Sequence, residues 1–210
     1  MKHETDVTVI LDRSGSMESI ASDVIGGFNG FLADQQRQVG DCRLTLIQFD
    51  DQYEVVYAAQ PIAHAPRLTE DTFQPRGSTA LLDAIGRTID RTGARLAALS
   101  EDERPDRVML VIITDGLENA STDFTRARIF GMISTQRDVF QWSFLFLAAN
   151  QDAIAEGAQV GIGAQQSLTF SATGPGVRAA SQSMSRAVSS LRSSGTAELQ
   201  TPAPKKRKVH

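Results

Sequence analysis

The sequence predicts an α/β domain: a largely parallel sheet covered by helices on both faces, with one antiparallel strand at its edge. Three observations carry this. Short apolar runs rich in β-branched residues alternate with longer stretches of helical period. Some of those runs, such as Val108 to Ile113, are apolar throughout, as strands buried on both faces are. Arg43 to Phe49 and Tyr53 to Ala59 are joined by a short polar link through Asp50-Asp51, a hairpin spacing that sets the second strand antiparallel to the first.

In chain order, Val7-Thr8-Val9-Ile10-Leu11 predicts a central strand. Ile20, Val24, Phe28, Phe31 and Leu32 recur at helical spacing, so a helix is expected from about Met17 to Gln36. Gly26-Gly27 inside it lower its propensity and are read as close packing against the sheet. The hairpin follows, then a loop from Pro61 to Arg76 with three prolines. Leu81, Leu82, Ile85, Ile89 and Leu96 mark one side of a helix from Ser78 to Leu99. Arg107 to Thr114 is a strand, Asp123 to Arg137 a helix and Gln141 to Ala149 a strand. Gln151 to Gln159 is a short helix, Ser167 to Phe170 a short final strand and Val177 to Leu191 a closing helix. There is no internal repeat. From Ser193 onward Ser, Gly, Pro and basic residues replace any apolar period, so residues 1–192 are expected to form the domain and 193–210 a disordered basic tail.

The 210 residues suffice for one such domain with a full core. With 41% apolar and 22% charged residues the composition is that of an ordinary soluble protein. No apolar stretch approaches the ~18 residues that cross a membrane. The polar start, Met1 to Asp6, is not a secretion signal. The single cysteine, Cys42, excludes an internal disulfide and a cysteine-based zinc site, and fits a reducing, cytoplasmic compartment. The last fifteen residues carry Lys205, Lys206, Arg207 and Lys208 against Glu198, so the other 195 carry −7 of a chain whose net charge is −4. An acidic body argues against nucleic-acid binding, except weakly through that tail.

Three segments form a chemical constellation. Asp12-x-Ser14-x-Ser16 follows the first strand, Thr79 lies in Gly77-Ser78-Thr79-Ala80-Leu81 at the start of the second helix, and Asp115 follows the strand ending at Ile113. In an open α/β sheet, ligands bind beyond the carboxyl ends of strands where the strand order reverses. If the strands of Asp12 and Asp115 flank that reversal, their loops converge. The set then offers two carboxylates and three hydroxyls, with no His or Cys. That is the oxygen chemistry of a hard divalent cation such as Mg²⁺; Mn²⁺ and Ca²⁺ also accept it. Singly, each piece has a bland reading: Asp12, Ser14, Ser16 and Thr79 as helix caps, and Asp115-Gly116 as a turn.

Together, Asp12, Ser14, Ser16, Thr79 and Asp115 resemble the metal-ion-dependent adhesion site (MIDAS) of von Willebrand factor type A (vWA) domains. The resemblance spans about residues 5 to 192 in element order, and is nearest to small stand-alone intracellular prokaryotic members. It implies a doubly wound (Rossmann-like), mostly parallel sheet with one antiparallel edge strand. It implies hydroxyls from Ser14, Ser16 and Thr79 on the metal, and Asp12 and Asp115 acting directly or through water. It also implies a partner protein that completes the coordination with an Asp or Glu. Glu118, three residues after Asp115, is expected at the rim, either tuning the open position or as an exposed loop charge.

Other chemistries fare worse. Phosphotransferases with an aspartate after the first strand place a second Asp two residues on, where this chain has Ser14. There is no Gly-x4-Gly-Lys phosphate loop, no Gly-x-Ser-x-Gly elbow and no His-Glu-x-x-His helix. His64 stands alone in the proline-containing loop, and Gly161-x-Gly163 lacks a third glycine. Cys42 reads as a passive, partly buried thiol, and Trp142 as core or a plug at the sheet edge. Pro204 to Val209 resembles a monopartite nuclear-import signal, a short pattern that often arises by chance. The expected function is a metal-dependent protein-interaction module rather than an enzyme. The alternatives are a metal-dependent phosphohydrolase and a scaffold or chaperone subunit working with an ATPase.

Overall fold

The computed structural model describes residues 4–199. Six strands form one sheet among them: β1 (Thr5–Asp12), β2 (Cys42–Phe49), β3 (Tyr53–Pro61), β4 (Arg107–Thr114), β5 (Ser143–Ala149) and β6 (Ser167–Phe170). Their order is β3-β2-β1-β4-β5-β6. Every neighbouring pair is parallel except β2 with β3, so the hairpin supplies one antiparallel edge strand. The chain winds outward from β1 to β2 and β3, then returns to the other side of β1 with β4. The order therefore reverses between β1 and β4, where an open sheet leaves a crevice at the carboxyl ends of its strands.

Among the described residues five α-helices cover the sheet: α1 (Ala21–Gln36), α2 (Leu81–Ala97), α3 (Arg126–Phe140), α4 (Ala153–Gln159) and α5 (Gly174–Ser194). On one face Val7, Val9 and Leu11 of β1 pack with Phe28 and Phe31 of α1 and Met184 and Val188 of α5. On the other, Ile10, Leu110 and Ile112 pack with Leu82 and Ile85 of α2 and Ile129 and Ile133 of α3. All of β1 is buried, as its nearly all-apolar run from Val7 to Leu11 led one to expect. Trp142 lies in the second core, and Cys42, at the start of β2, is also buried. No helix among the described residues is long and apolar enough to cross a membrane.

Several element ends differ from expectation, each for a local reason. Gly15–Ile20 is a 3-10 helix, so α1 begins only at Ala21. Ser78 to Ala80 stay outside α2, which leaves Thr79 on a loop. The α3 helix starts at Arg126, where the Thr125 side chain caps it by accepting from Arg128 N. It overruns Arg137 and stops at Phe140, because Gln141 adopts a left-handed conformation. The Thr173 cap and the proline in the first turn start α5 three residues early, and the left-handed Gly195 ends it after Ser194, past the expected boundary at residue 192. Beyond it, Ala197 and Leu199 lie partly buried against the core. The basic run Lys205, Lys206, Arg207 and Lys208 lies outside the described residues.

The expected role of Gly26-Gly27 needs correction. A Cβ on Gly27 would run into Ser181 of α5, so this glycine admits a neighbouring helix, not the sheet; Gly26 meets nothing.

Candidate metal centre

Parallel pairing brings the ends of β1 and β4 level, with Leu11 beside Ile113. The next residues, Asp12 and Thr114, then touch through their side chains. The Thr114 hydroxyl donates to Asp12 Oδ2 at 2.5 Å, and Ser14 N donates to Asp12 Oδ1 at 2.7 Å. Both Asp12 oxygens are thus engaged, and the residue is fully buried. The loop after β1 next presents two hydroxyls, Ser14 Oγ and Ser16 Oγ, 3.1 Å apart. Ser16 Oγ donates to Asp115 Oδ1 at 2.6 Å, across the crevice.

Thr79 arrives from a third segment. Its hydroxyl makes no hydrogen bond among the described residues. A Cβ placed on Gly116 would come within 2.7 Å of Thr79 Oγ1 and 3.4 Å of Ser16 Oγ. Thr79 therefore stands beside Ser16 at the Asp115-Gly116 turn, and the absent side chain of Gly116 leaves room for both. All five residues singled out in the sequence meet at this one point.

Burial of these oxygens has an electrostatic consequence. Desolvation pushes the Asp12 carboxyl up to about 6, against the pull of its Thr114 and Ser14 hydrogen bonds, with the nearby Asp115 adding to the rise. Asp115 is also raised, mainly by burial. Neither carboxylate has an Arg, Lys or His partner among the described residues. Two partly desolvated acids with three hydroxyls and no protein cation make a donor set that suits a hard divalent ion. No cluster of three or more His, Cys, Asp or Glu side chains able to hold a metal occurs among the described residues, as befits a set in which hydroxyls outnumber carboxylates.

The surrounding clamp was not legible in the sequence. Asn119 Oδ1 accepts from Thr79 N at 2.9 Å, and Asn119 N donates to Thr79 O at 3.1 Å. Buried Asp83 accepts from the backbone of Thr122, Asp123 and Phe124 at 2.9–3.0 Å. Gln151 Nε2 donates to Gly116 O at 3.2 Å. These partners lie 35 to 41 residues apart in sequence, and no local pattern announces them.

Glu118 departs from both readings made of it. It is neither an open rim ligand nor a free surface charge. One oxygen accepts from Ala120 N and Ser121 N, the other from Leu82 N and Ser121 Oγ, all at 2.8–3.0 Å. It staples the loop after β4 to the first turn of α2 and so helps hold Thr79 in place.

No protein-family model matches the chain, and no curated protein matches it. Solved structures do. The chain is similar to proximal thread matrix protein 1 from the mussel byssus, in a form with a zinc-occupied MIDAS motif, at 13% identity and a TM-score of 0.61; the match covers 89% of this chain and 46% of that one. It is similar to the pilus adhesin SpaC of Lactobacillus rhamnosus GG at 16% identity and a TM-score of 0.64, covering 89% and 30%. A von Willebrand factor type A protein from Catenulispora acidiphila matches at 14% identity and a TM-score of 0.55, covering 88% and 42%. This chain thus spans less than half the length of each. The fold is that of a vWA domain.

Proposed function

We propose that this chain is a divalent-metal-dependent protein-interaction module whose metal site is built by Asp12, Ser14, Ser16, Thr79 and Asp115. The observation that carries the reading is their convergence at the strand-order reversal with no protein cation among them. Ser14, Ser16 and Thr79 offer neutral hydroxyls. Asp12, whose two oxygens are already engaged by Thr114 and Ser14, serves to orient the loop and hold water. Asp115 orients Ser16 in the same way. A bound Mg²⁺ supplies a dication whose charge neutral hydroxyls leave largely uncompensated, and this attracts an Asp or Glu of a partner protein. Mn²⁺ or Ca²⁺ fits the same oxygen set. The zinc-occupied motif of the mussel protein supports a metal at the equivalent place of this fold. The cytoplasm is the proposed compartment, in keeping with a lone buried thiol at Cys42.

Calorimetric titration with MgCl₂ and MnCl₂, followed by a pull-down from lysate in Mg²⁺ and in EDTA, tests the reading. Binding of one ion and a partner set that EDTA removes are expected. A partner set indifferent to EDTA sinks the metal-bridged mechanism. Turnover of a generic phosphoester that Asp12→Ala abolishes favours the hydrolase instead.

A further inference from the structure

Of the three strands ending at the crevice, β2 alone contributes no group to the proposed metal set. It leads instead into Asp50, whose carboxylate is fully buried. Asp50 Oδ2 accepts from Arg13 Nε at 3.1 Å and from Arg76 Nε at 2.8 Å, and Oδ1 accepts from Gln52 N at 2.6 Å. The Asp50 carbonyl accepts from Ala80 N at 3.0 Å.

Three of these partners, Arg13, Arg76 and Ala80, lie in the segments that carry proposed donors. Arg13 lies between Asp12 and Ser14, and its guanidinium is buried, reaching Glu54 as well at 2.7 Å. Arg76 and Ala80 bracket the segment that carries Thr79. The two segments are also joined directly: Arg76 N donates to Arg13 O at 2.8 Å and Gly15 N to Gly77 O at 3.1 Å. Gly77 has a φ of +66°, and a Cβ there would strike Asp51, so the approach is open only to glycine. Without Asp50, two guanidiniums would face each other across this junction, one of them cut off from water. Arg13 would keep Glu54 as an anionic partner, but losing the buried carboxylate that both guanidiniums share would loosen the junction.

We propose that Asp50 is a positioning residue of the metal site: paired with Arg13 and Arg76, it sets the spacing between the Ser14 and Ser16 hydroxyls and that of Thr79. The proposal rests on the metal reading above. Asp50 touches no metal itself; it holds two donor-bearing segments in register, as residues behind metal ligands do.

The test compares Mg²⁺ and Mn²⁺ affinity by calorimetry, and melting in EDTA, for the full chain and three variants. Asp50→Asn keeps all five donors and should weaken affinity by about 10- to 100-fold. Arg76→Gln removes a guanidinium that is 52% exposed, so the fold survives, and should weaken affinity several-fold. Asp51→Asn removes a neighbouring exposed carboxylate of the same charge and should change affinity less than twofold. A merely structural role lowers the melting temperature in EDTA without altering the affinity of the folded protein. If the wild type binds and Asp50→Asn and Arg76→Gln bind equally well, the proposal is overturned. An Asp51→Asn loss as large as that of Asp50→Asn overturns it too, since long-range charge then explains both. If Asp50→Asn does not fold, Arg76→Gln decides alone. A wild type that binds neither ion overturns the metal reading, and this proposal with it.

Discussion

Ser16 Oγ donates to Asp115 Oδ1 at 2.6 Å, a bond between residues 99 positions apart that closes the crevice between β1 and β4. It exists because the register sets Leu11 beside Ile113 and so brings the two following loops level. In the proposed metal site it also orients the Ser16 hydroxyl. Ser16→Ala is therefore expected to weaken Mg²⁺ affinity by about 10-fold or more, on the scale of losing a metal-orienting contact. Calorimetry reads the affinity. Ser16 is exposed, so melting in EDTA should stay within about 0.5 kcal/mol of wild type.

The raised carboxyls give the metal-free protein an inverted pH response. Asp12 titrates at about 6 when folded, against 3.8 as its ordinary value, and Asp115 shifts in the same direction. A carboxyl raised by folding binds its proton more tightly in the native state. Its contribution to stability is present at low pH and is lost as pH rises through the folded value. In EDTA, melting should therefore be higher near pH 5 than near pH 7.5, by an amount on the order of 2 kcal/mol. Saturating Mg²⁺ should offset the loss, adding about 2.7 kcal/mol at one hundred times its Kd. Mg²⁺ affinity should in turn fall as pH drops below about 6. An EDTA melting profile that rises steadily from pH 5 to pH 7.5 contradicts this account.

Gly116 and Gly93 separate space from propensity. A Cβ at Gly116 would press on Thr79 Oγ1 at 2.7 Å, so Gly116→Ala should shift that hydroxyl and cost Mg²⁺ affinity. Gly93 lies inside α2, and a Cβ there would meet nothing within 4 Å. Gly93→Ala should therefore stabilise the fold by about 0.5–1 kcal/mol and leave affinity unchanged. Denaturant melts and calorimetry on both variants check the pair.

Glu118 makes a structural forecast in place of the rim role. Its two oxygens accept four hydrogen bonds, one from Leu82 N in the first turn of α2 and three from Ala120 and Ser121 in the loop after β4. Glu118→Ala leaves those donors without their acceptor and should destabilise the EDTA-treated protein by about 1–3 kcal/mol. Unchanged melting in EDTA with lost Mg²⁺ affinity would restore the ligand reading.

Much of the fold was legible from residues alone. The β-branched, nearly all-apolar run from Val7 to Leu11 announced a central strand because burial on both faces leaves little polar alternation. Asp50-Asp51 between two strand-like runs announced the hairpin and hence the antiparallel edge. The five candidate oxygen donors were also legible, since each lies at the end of a recognisable element. Element ends were less so. The caps at Thr125 and Thr173 are single side chains whose effect on helix length appears only once the first turn has formed.

What the sequence by itself determined is the list of strands and the oxygen chemistry at their carboxyl ends, because hydrophobic period and residue type are local properties. Tertiary structure alone decided that β1 and β4 are neighbours, and thereby that Asp12, Ser16 and Asp115 share one crevice. It alone turned Glu118 into a staple and Asp50 into the link between Arg13 and Arg76. Those roles depend on hydrogen bonds and ion pairs between segments far apart in the chain. Such contacts form when the sheet brings strand ends together, and nothing in the spacing of residues along the chain encodes which ends will meet.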